Sequence, residues 1–333
     1  MTDMMHAFEL VQPQTLDEAS DLLKKHKGDA WVIAGGYDSL DWFKDRVMRP
    51  EMVVDITQIS ELHGISDQGD HLAIGAMTTL TEIAESALIR EAFPALATAA
   101  SRIASPQIRN VGTIGGNICQ DTRCSYYRDG FPCYRAGGNT CYANTPTAMN
   151  REHTLFEAKR CVAVTPSDAA PVLTVLDAEM VISRAGKLRT VKAADFFVGP
   201  EIDIERMTAV ERDKGDLLVQ IKIPKTWAGS KQYFEKAADR QAWDFALVNV
   251  AMAAKVAPDG TIEKLQIACG AVQCTPRRLS NVEDLVVGEK PSEDLGVLIE
   301  RVASQGAKPL NYNHFKIPLL GKLARRAVRS LSA

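Results

Sequence analysis

The hydrophobic periodicity of this chain stops at Cys119 and does not resume until Cys161. Tyr, Arg, Gly, Asn and Pro dominate residues 119–160. A stretch of roughly 40 residues with no core-forming pattern is unusual inside a compact domain, so it is either disordered or held by something other than its own apolar side chains. Five of the seven cysteines fall at the edges of this stretch or within it: Cys119, Cys124, Cys133, Cys141 and Cys161. Cys269 and Cys274 lie far along the chain and are expected to be ordinary core or surface thiols. An odd number of cysteines, in a chain whose start "MTDMMHAFELVQPQ" has no signal-peptide pattern, argues against a disulfide framework. A structural zinc site usually shows paired CxxC knuckles, and none occurs here. A thiolate-ligated iron–sulfur cluster tolerates irregular spacing and would order a polar loop. Eight, seven and 19 residues separate Cys124, Cys133, Cys141 and Cys161 in turn. Zinc, disulfides or inert thiols, and a cluster all remain open on spacing alone, with the cluster favoured. Cys119 follows "GGNI" directly and is set aside as the spare.

Two glycine segments precede the cysteines. "AGGYDSL" covers residues 34–40 and "TIGGN" covers 113–117. Glycine permits positive φ and removes the Cβ that keeps a ligand away from backbone. Successive N–H groups can then converge on an anion. One Gly-Gly is usually a turn, but two of similar type suit a diphosphate held from two sides. Neither segment is a P-loop or a GxGxxG turn, so a bound nucleotide implies a different fold.

The rest reads as a mixed α and β chain. Thr15 with Glu18, and Thr79 with Glu82, are capping boxes that start helices. Strands are expected at 30–36, 52–56 and 71–77, and a helix over 93–103 ending before Pro106. "CVAVTP" reads as a strand, "SDAAPVLTVLDA" as a short helix, and "EMVISR" and "DLLVQIKIP" as strands. "KTWAGSK" reads as a linker. Pro258-Asp259-Gly260 joins two apolar runs as a hairpin, and helices follow near 292–305 and 313–331. The chain is 46% apolar and 24% charged with a net charge of −3, which suits a soluble globular protein and gives no basic face for nucleic acid. No run of 18 apolar residues exists, so no membrane span is expected. The cytoplasm is the expected location, with export on a signal-bearing partner subunit as the alternative.

"AGGYDSL", "RNVGTIGGN" and "PSDAAP", in that order, with "IGAMTTLTEI" between, resemble the FAD-binding medium subunit of the xanthine dehydrogenase family of molybdenum hydroxylases. The resemblance covers essentially the whole chain. It implies an α+β architecture: a PCMH-type, vanillyl-alcohol-oxidase-like FAD-binding domain at 1–226, with α/β subdomains at about 1–58 and 59–226. A C-terminal α+β domain like that of CO dehydrogenase flavoproteins would occupy 227–333. The insertion, about 118–166, is similar to those in the flavin subunits of 4-hydroxybenzoyl-CoA reductase and a periplasmic aldehyde oxidoreductase, which carry a [4Fe-4S] cluster. By that likeness the cluster ligands are Cys124, Cys133, Cys141 and Cys161. The FAD contacts are Ile33, Ala34, Gly35, Gly36, Tyr37, Asp38, Ser39 and Leu40 on one side, and Thr113, Ile114, Gly115, Gly116 and Asn117 on the other. Asp168, Ile103 and Lys236 would complete them. Without the motif, Asp168 would be no more than a helix N-terminal charge and Lys236 a solvated strand residue. His153 reads as a loop histidine, and Arg102 and Arg109 as contacts to phosphate or to a partner. No acid–base pair for substrate chemistry stands out. The resemblance therefore implies an electron-transfer subunit beside a large molybdopterin-binding subunit and a small subunit with two [2Fe-2S] clusters, acting on an aldehyde, N-heterocycle or aromatic substrate, with ferredoxin or another carrier as a further partner. A 4-hydroxybenzoyl-CoA reductase-like β subunit and a stand-alone flavin oxidase are the alternatives.

Overall fold

A computed structural model describes residues 5–156 and 159–332. Among these, strands form three sheets. In the first, β1 (Glu9–Val11) and β2 (Ala30–Ile33) flank β3 (Met52–Asp55), all parallel. Parallel strands of one sheet need crossover connections, and the one from β1 to β2 carries the helix Leu16–His26. Thr15 caps that helix by accepting from Glu18 N–H. The second sheet has the order β4-β5-β8-β6-β7: β4 (Ile65–Asp67), β5 (His71–Gly75), β6 (Glu179–Arg184), β7 (Lys187–Lys192) and β8 (Asp216–Pro224). The third runs β12-β11-β10-β9: β9 (Lys231–Ala237), β10 (Val248–Val256), β11 (Ile262–Gly270) and β12 (Arg277–Arg278). The expected hairpin is the β10–β11 pair, antiparallel from Asn249 opposite Gly270.

Three expectations change. "CVAVTP" is not a strand; its backbone groups are satisfied singly, by Thr154 N–H to Val162 O and Thr165 N–H to Gln273 O. "KTWAGSK" is no free linker, because Trp227 is buried and its Nε1–H donates to Asp177 at 2.8 Å. "TIGGN" is not an open turn but the first turn of the helix Ile114–Cys119.

The cysteine segment builds only short helical turns, at Ser125–Arg128, Tyr134–Ala136 and Tyr142–Asn144. It is ordered partly by borrowed cores. Tyr127 and Cys133 pack with Trp42, Phe43 and Val53 behind the first sheet. Leu155 and Phe156 enter the core between the third sheet and the C-terminal helices.

One buried charge ties β8 to its neighbours. The Asp216 carboxylate is fully buried and accepts from Arg184 Nε (2.6 Å), Arg189 Nη2 (2.5 Å) and Glu211 N–H (3.0 Å). Burial pushes its pKa up; the bonds from Arg184, Glu211 N–H and Arg189 outweigh this and hold it below the ordinary 3.8. A depressed carboxylate stabilises the fold above its unfolded value and loses that contribution as pH falls through the folded one. Asp216→Asn is expected to cost about 3 kcal/mol at pH 7, by removing the buried anion that both arginines share. In urea titrations from pH 5 to pH 3, wild type should then lose stability more steeply than the variant.

Two candidate cofactor sites

The two glycine segments face each other. Gly35 lies so close to the chain leading into the second segment that a Cβ there would meet Val111 O at 2.3 Å. A Cβ on Gly115 would meet Ala76 O at 2.7 Å. Gly36 has φ +80°, the left-handed region that glycine occupies without strain. Gly35 and Gly115 therefore serve backbone-to-backbone packing. The N–H groups of Ile114, Gly115 and Gly116 are already engaged, by Thr78 O, Ala76 O and Thr113 Oγ1. The second segment is thus a capped helix start rather than an open anion nest.

Between the segments lies a cavity of about 600 Å³. It is lined by Ala34, Gly35, Gly36, Tyr37, Asp38 and Ser39 on one side, and by Thr113, Gly115, Gly116 and Asn117 on the other. Ile103, Asp168 and Lys236 line it too. Ile33, Leu40 and Ile114 do not; Ile33 packs in the core behind the first sheet and Ile114 in the main core. Trp31, Trp42, Trp243 and Phe245 add aromatic wall that no local sequence pattern singles out. Arg102 and Arg109 stay outside it, and Arg109 Nη1 donates to Ile103 O at 2.7 Å. Asp168 and Lys236 form a buried ion pair at 2.7 Å. The Lys236 ammonium also donates to Arg102 O (3.2 Å) and Asp244 O (2.7 Å), so its three protons are all used. The other Asp168 oxygen accepts from Asn249 Nδ2 at 2.7 Å.

A second, smaller cavity is lined by Cys124, Cys133, Cys141 and Cys161 together. Cys119 lines the larger cavity instead. Among the described residues no set of three or more His, Cys, Asp or Glu side chains converges as a single ion requires. The four thiols stand around a space rather than on a point. Burial pushes Cys124 up to about 12 and raises Cys141. A hydrogen bond from Cys274 lowers Cys161 and raises Cys274 itself. Cys274 Sγ also donates to Ala163 O at 2.9 Å, so this distant cysteine belongs to the surroundings of the cavity. His153, too, is no ordinary loop residue: it is buried, with Nε2 at 3.3 Å from Cys124 Sγ. Burial and the nearby Lys316 ammonium pull its pKa down to about 4, so the ring is neutral near pH 7.

The two cavities adjoin. Trp42 of the larger meets Tyr127 of the smaller edge to face, with ring centroids 5.2 Å apart. Asp38 accepts from Arg128 Nη2 at 2.7 Å and pairs with Arg123 at 3.1 Å, both cations of the cysteine segment.

The profile of the FAD binding domain in molybdopterin dehydrogenase matches residues 6–226, more than half of the chain. The chain belongs to this family of FAD-binding medium subunits. The profile of the CO dehydrogenase flavoprotein C-terminal domain follows at residues 232–331 of this flavoprotein. The aldehyde oxidoreductase FAD-binding subunit of Escherichia coli (strain K12) is 33% identical over 280 residues, covering 83% of this chain and 84% of that one. The glyceraldehyde dehydrogenase medium chain of Sulfolobus acidocaldarius is 29% identical over 304 residues, covering 91% and 88%. The structure of carbon monoxide dehydrogenase from Hydrogenophaga pseudoflava superposes with a TM-score of 0.77 at 26% identity, covering 98% of this chain and 99% of that chain. The flavoprotein fold is thus α+β, and no helix among the described residues is long and apolar enough to cross a membrane.

Gly35→Ala should cost ~2 kcal/mol, because its Cβ meets backbone that cannot rotate away. Urea unfolding of this variant should show that loss, and equilibrium dialysis should show weakened FAD retention. Lys236→Met leaves the buried Asp168 carboxylate without its cation and should cost about 3 kcal/mol, read in the same unfolding experiment.

Proposed function

We propose that this chain is the FAD- and [4Fe-4S]-carrying electron-transfer subunit of a multi-subunit molybdenum hydroxylase. The observation that carries this reading is the adjoining pair of cavities, one between two glycine segments and one ringed by four cysteines. Bound FAD supplies exchange between two-electron and one-electron transfer. Residues 34–39 would hold it from one side, and Thr113, Gly115, Gly116 and Asn117 from the other. Ile33, Leu40 and Ile114 would act from behind, by fixing those segments. Asp168 and Lys236 would shape the cavity as a neutralised pair, with Ile103 as apolar wall. Trp243 is 70% exposed and Phe245 42% exposed, so they would stand at the mouth and limit water.

Cys124, Cys133, Cys141 and Cys161 would ligate the cluster. Zinc needs its donors about 2.3 Å from one point, whereas these thiols line a cavity without converging. Four thiols around one shared cavity are the donor set that such a cluster takes. The raised thiols of Cys124 and Cys141 would release their protons on ligation.

The flavin domain would end at residue 226 and the C-terminal domain begin at 227. Substrate would be transformed on a large molybdopterin-binding subunit, with a small subunit carrying two [2Fe-2S] clusters between, and with ferredoxin or another carrier meeting the [4Fe-4S] end. Relatives named as medium chains or FAD subunits support the companion chains. Their names span aldehydes, carbon monoxide and N-heterocycles; the 33% identical relative favours an aldehyde.

Anaerobically purified protein is expected to show flavin bands, a broad shoulder and about four irons per chain. Cys124→Ser should lose the iron and keep FAD; Gly116→Val should do the reverse. Zinc without iron would sink the cluster, and a lone chain with full substrate turnover would sink the subunit reading.

A further inference from the structure

His153 lies in a polar loop and belongs neither to the lining of the larger cavity nor to the four cysteines of the smaller one. Its placement is nevertheless tightly fixed. The residue is 7% exposed, with Nε2 at 3.3 Å from Cys124 Sγ and Nδ1 buried without a hydrogen-bond partner. Three bonds hold its backbone: N–H to Asn150 O (3.2 Å), and carbonyl from Lys316 Nζ (3.1 Å) and Asn313 Nδ2 (3.1 Å). Lys316 and Asn313 are both fully buried, and Lys316 begins the C-terminal helix Lys316–Arg329. Two buried side chains of the C-terminal region thus point their donors at the one carbonyl that sets where this imidazole stands.

The tautomer follows from the partner. A neutral imidazole has one N–H and one bare nitrogen. A sulfur bound to iron has no proton and can only accept. The proton then sits on Nε2, and the bare nitrogen is Nδ1, which is buried without a partner. Hydrogen bonds to cluster sulfurs stabilise the more negatively charged, reduced form and raise the reduction potential. The buried partners of ligands are also what orients them.

We propose that His153 is a positioning residue for the iron–sulfur cluster: its Nε2–H donates to the Cys124 thiolate and raises the cluster's reduction potential. This rests on the [4Fe-4S] reading above. Cys274 stands to Cys161 in a comparable way, but its thiol is a weaker donor and also bonds Ala163 O. The imidazole is the stronger of the two influences.

The test is a redox titration of the intact complex, following the reduced cluster by electron paramagnetic resonance. His153→Phe keeps the ring volume and removes the donor; His153→Gln keeps an N–H. The Phe variant should retain iron and FAD and titrate at a more negative potential, and the Gln variant should move back toward wild type. An unchanged potential in the Phe variant overturns the proposal while leaving the cluster intact. Wild-type protein without iron overturns the cluster reading and the proposal with it. Should the Phe variant lose its iron, wild type with 15N-labelled histidine decides. A weak nitrogen coupling to the reduced cluster supports the hydrogen bond. No coupling, or one of the size of a direct ligand, overturns it.

Discussion

Asp38 belongs to the first glycine segment, yet the cations that hold it come from the cysteine segment. Arg128 donates to it at 2.7 Å, and Arg123 pairs with it at 3.1 Å. Arg128 at the same time lies 3.9 Å from the centre of the Trp42 ring, which lines the larger cavity. Asp38, Arg128 and Trp42 are thus one unit, part wall of the larger cavity and part cysteine segment. A change to either segment disturbs the other, because a partly buried carboxylate does not tolerate losing its cations. The two cavities are therefore not independent modules that happen to touch.

The same dependence runs toward the C-terminal region. The third sheet packs on the helices Pro94–Arg102 and Ala169–Val175 of the flavin region, and Lys236 of β9 reaches into the larger cavity. Leu155 and Phe156 sit in the C-terminal core, while Asn313 and Lys316 bind backbone carbonyls of His153 and Thr154. A segment too polar to fold alone is thereby suspended between two cores. Lys316 is buried with two carbonyls and no carboxylate among its hydrogen-bond partners, and burial brings its pKa down to about 7. That is a costly way to fasten a loop. It makes sense where the loop's position has a function.

Much of this was legible in the sequence. Capping residues Thr15 and Thr79 start helices because a side-chain oxygen can satisfy a local N–H, whatever lies further away. The β10–β11 hairpin follows from Pro258-Asp259-Gly260 between apolar runs. Paired glycines marked both walls of the larger cavity, and four cysteines at irregular spacing line the smaller one. Other features had no local signal. Trp227 in "KTWAGSK" looked like linker because its partner, Asp177, is 50 residues away. Gly35 looked like room for a phosphate; its proximity to Val111 is visible only once both segments are folded.

By itself, then, the sequence determined the flavoprotein family, the glycine segments and the cysteine set, since each is written in short runs of adjacent residues. The tertiary structure alone decided which residues serve which cavity. It placed Cys119 with one cavity and Cys274 near the other, matched Lys236 to Asp168, and turned His153 from a loop residue into a neighbour of Cys124. Those pairings join positions from 29 to 113 residues apart, and no local pattern encodes them. They exist because burial forces each polar group to find a partner, and only the folded chain brings the partners within reach.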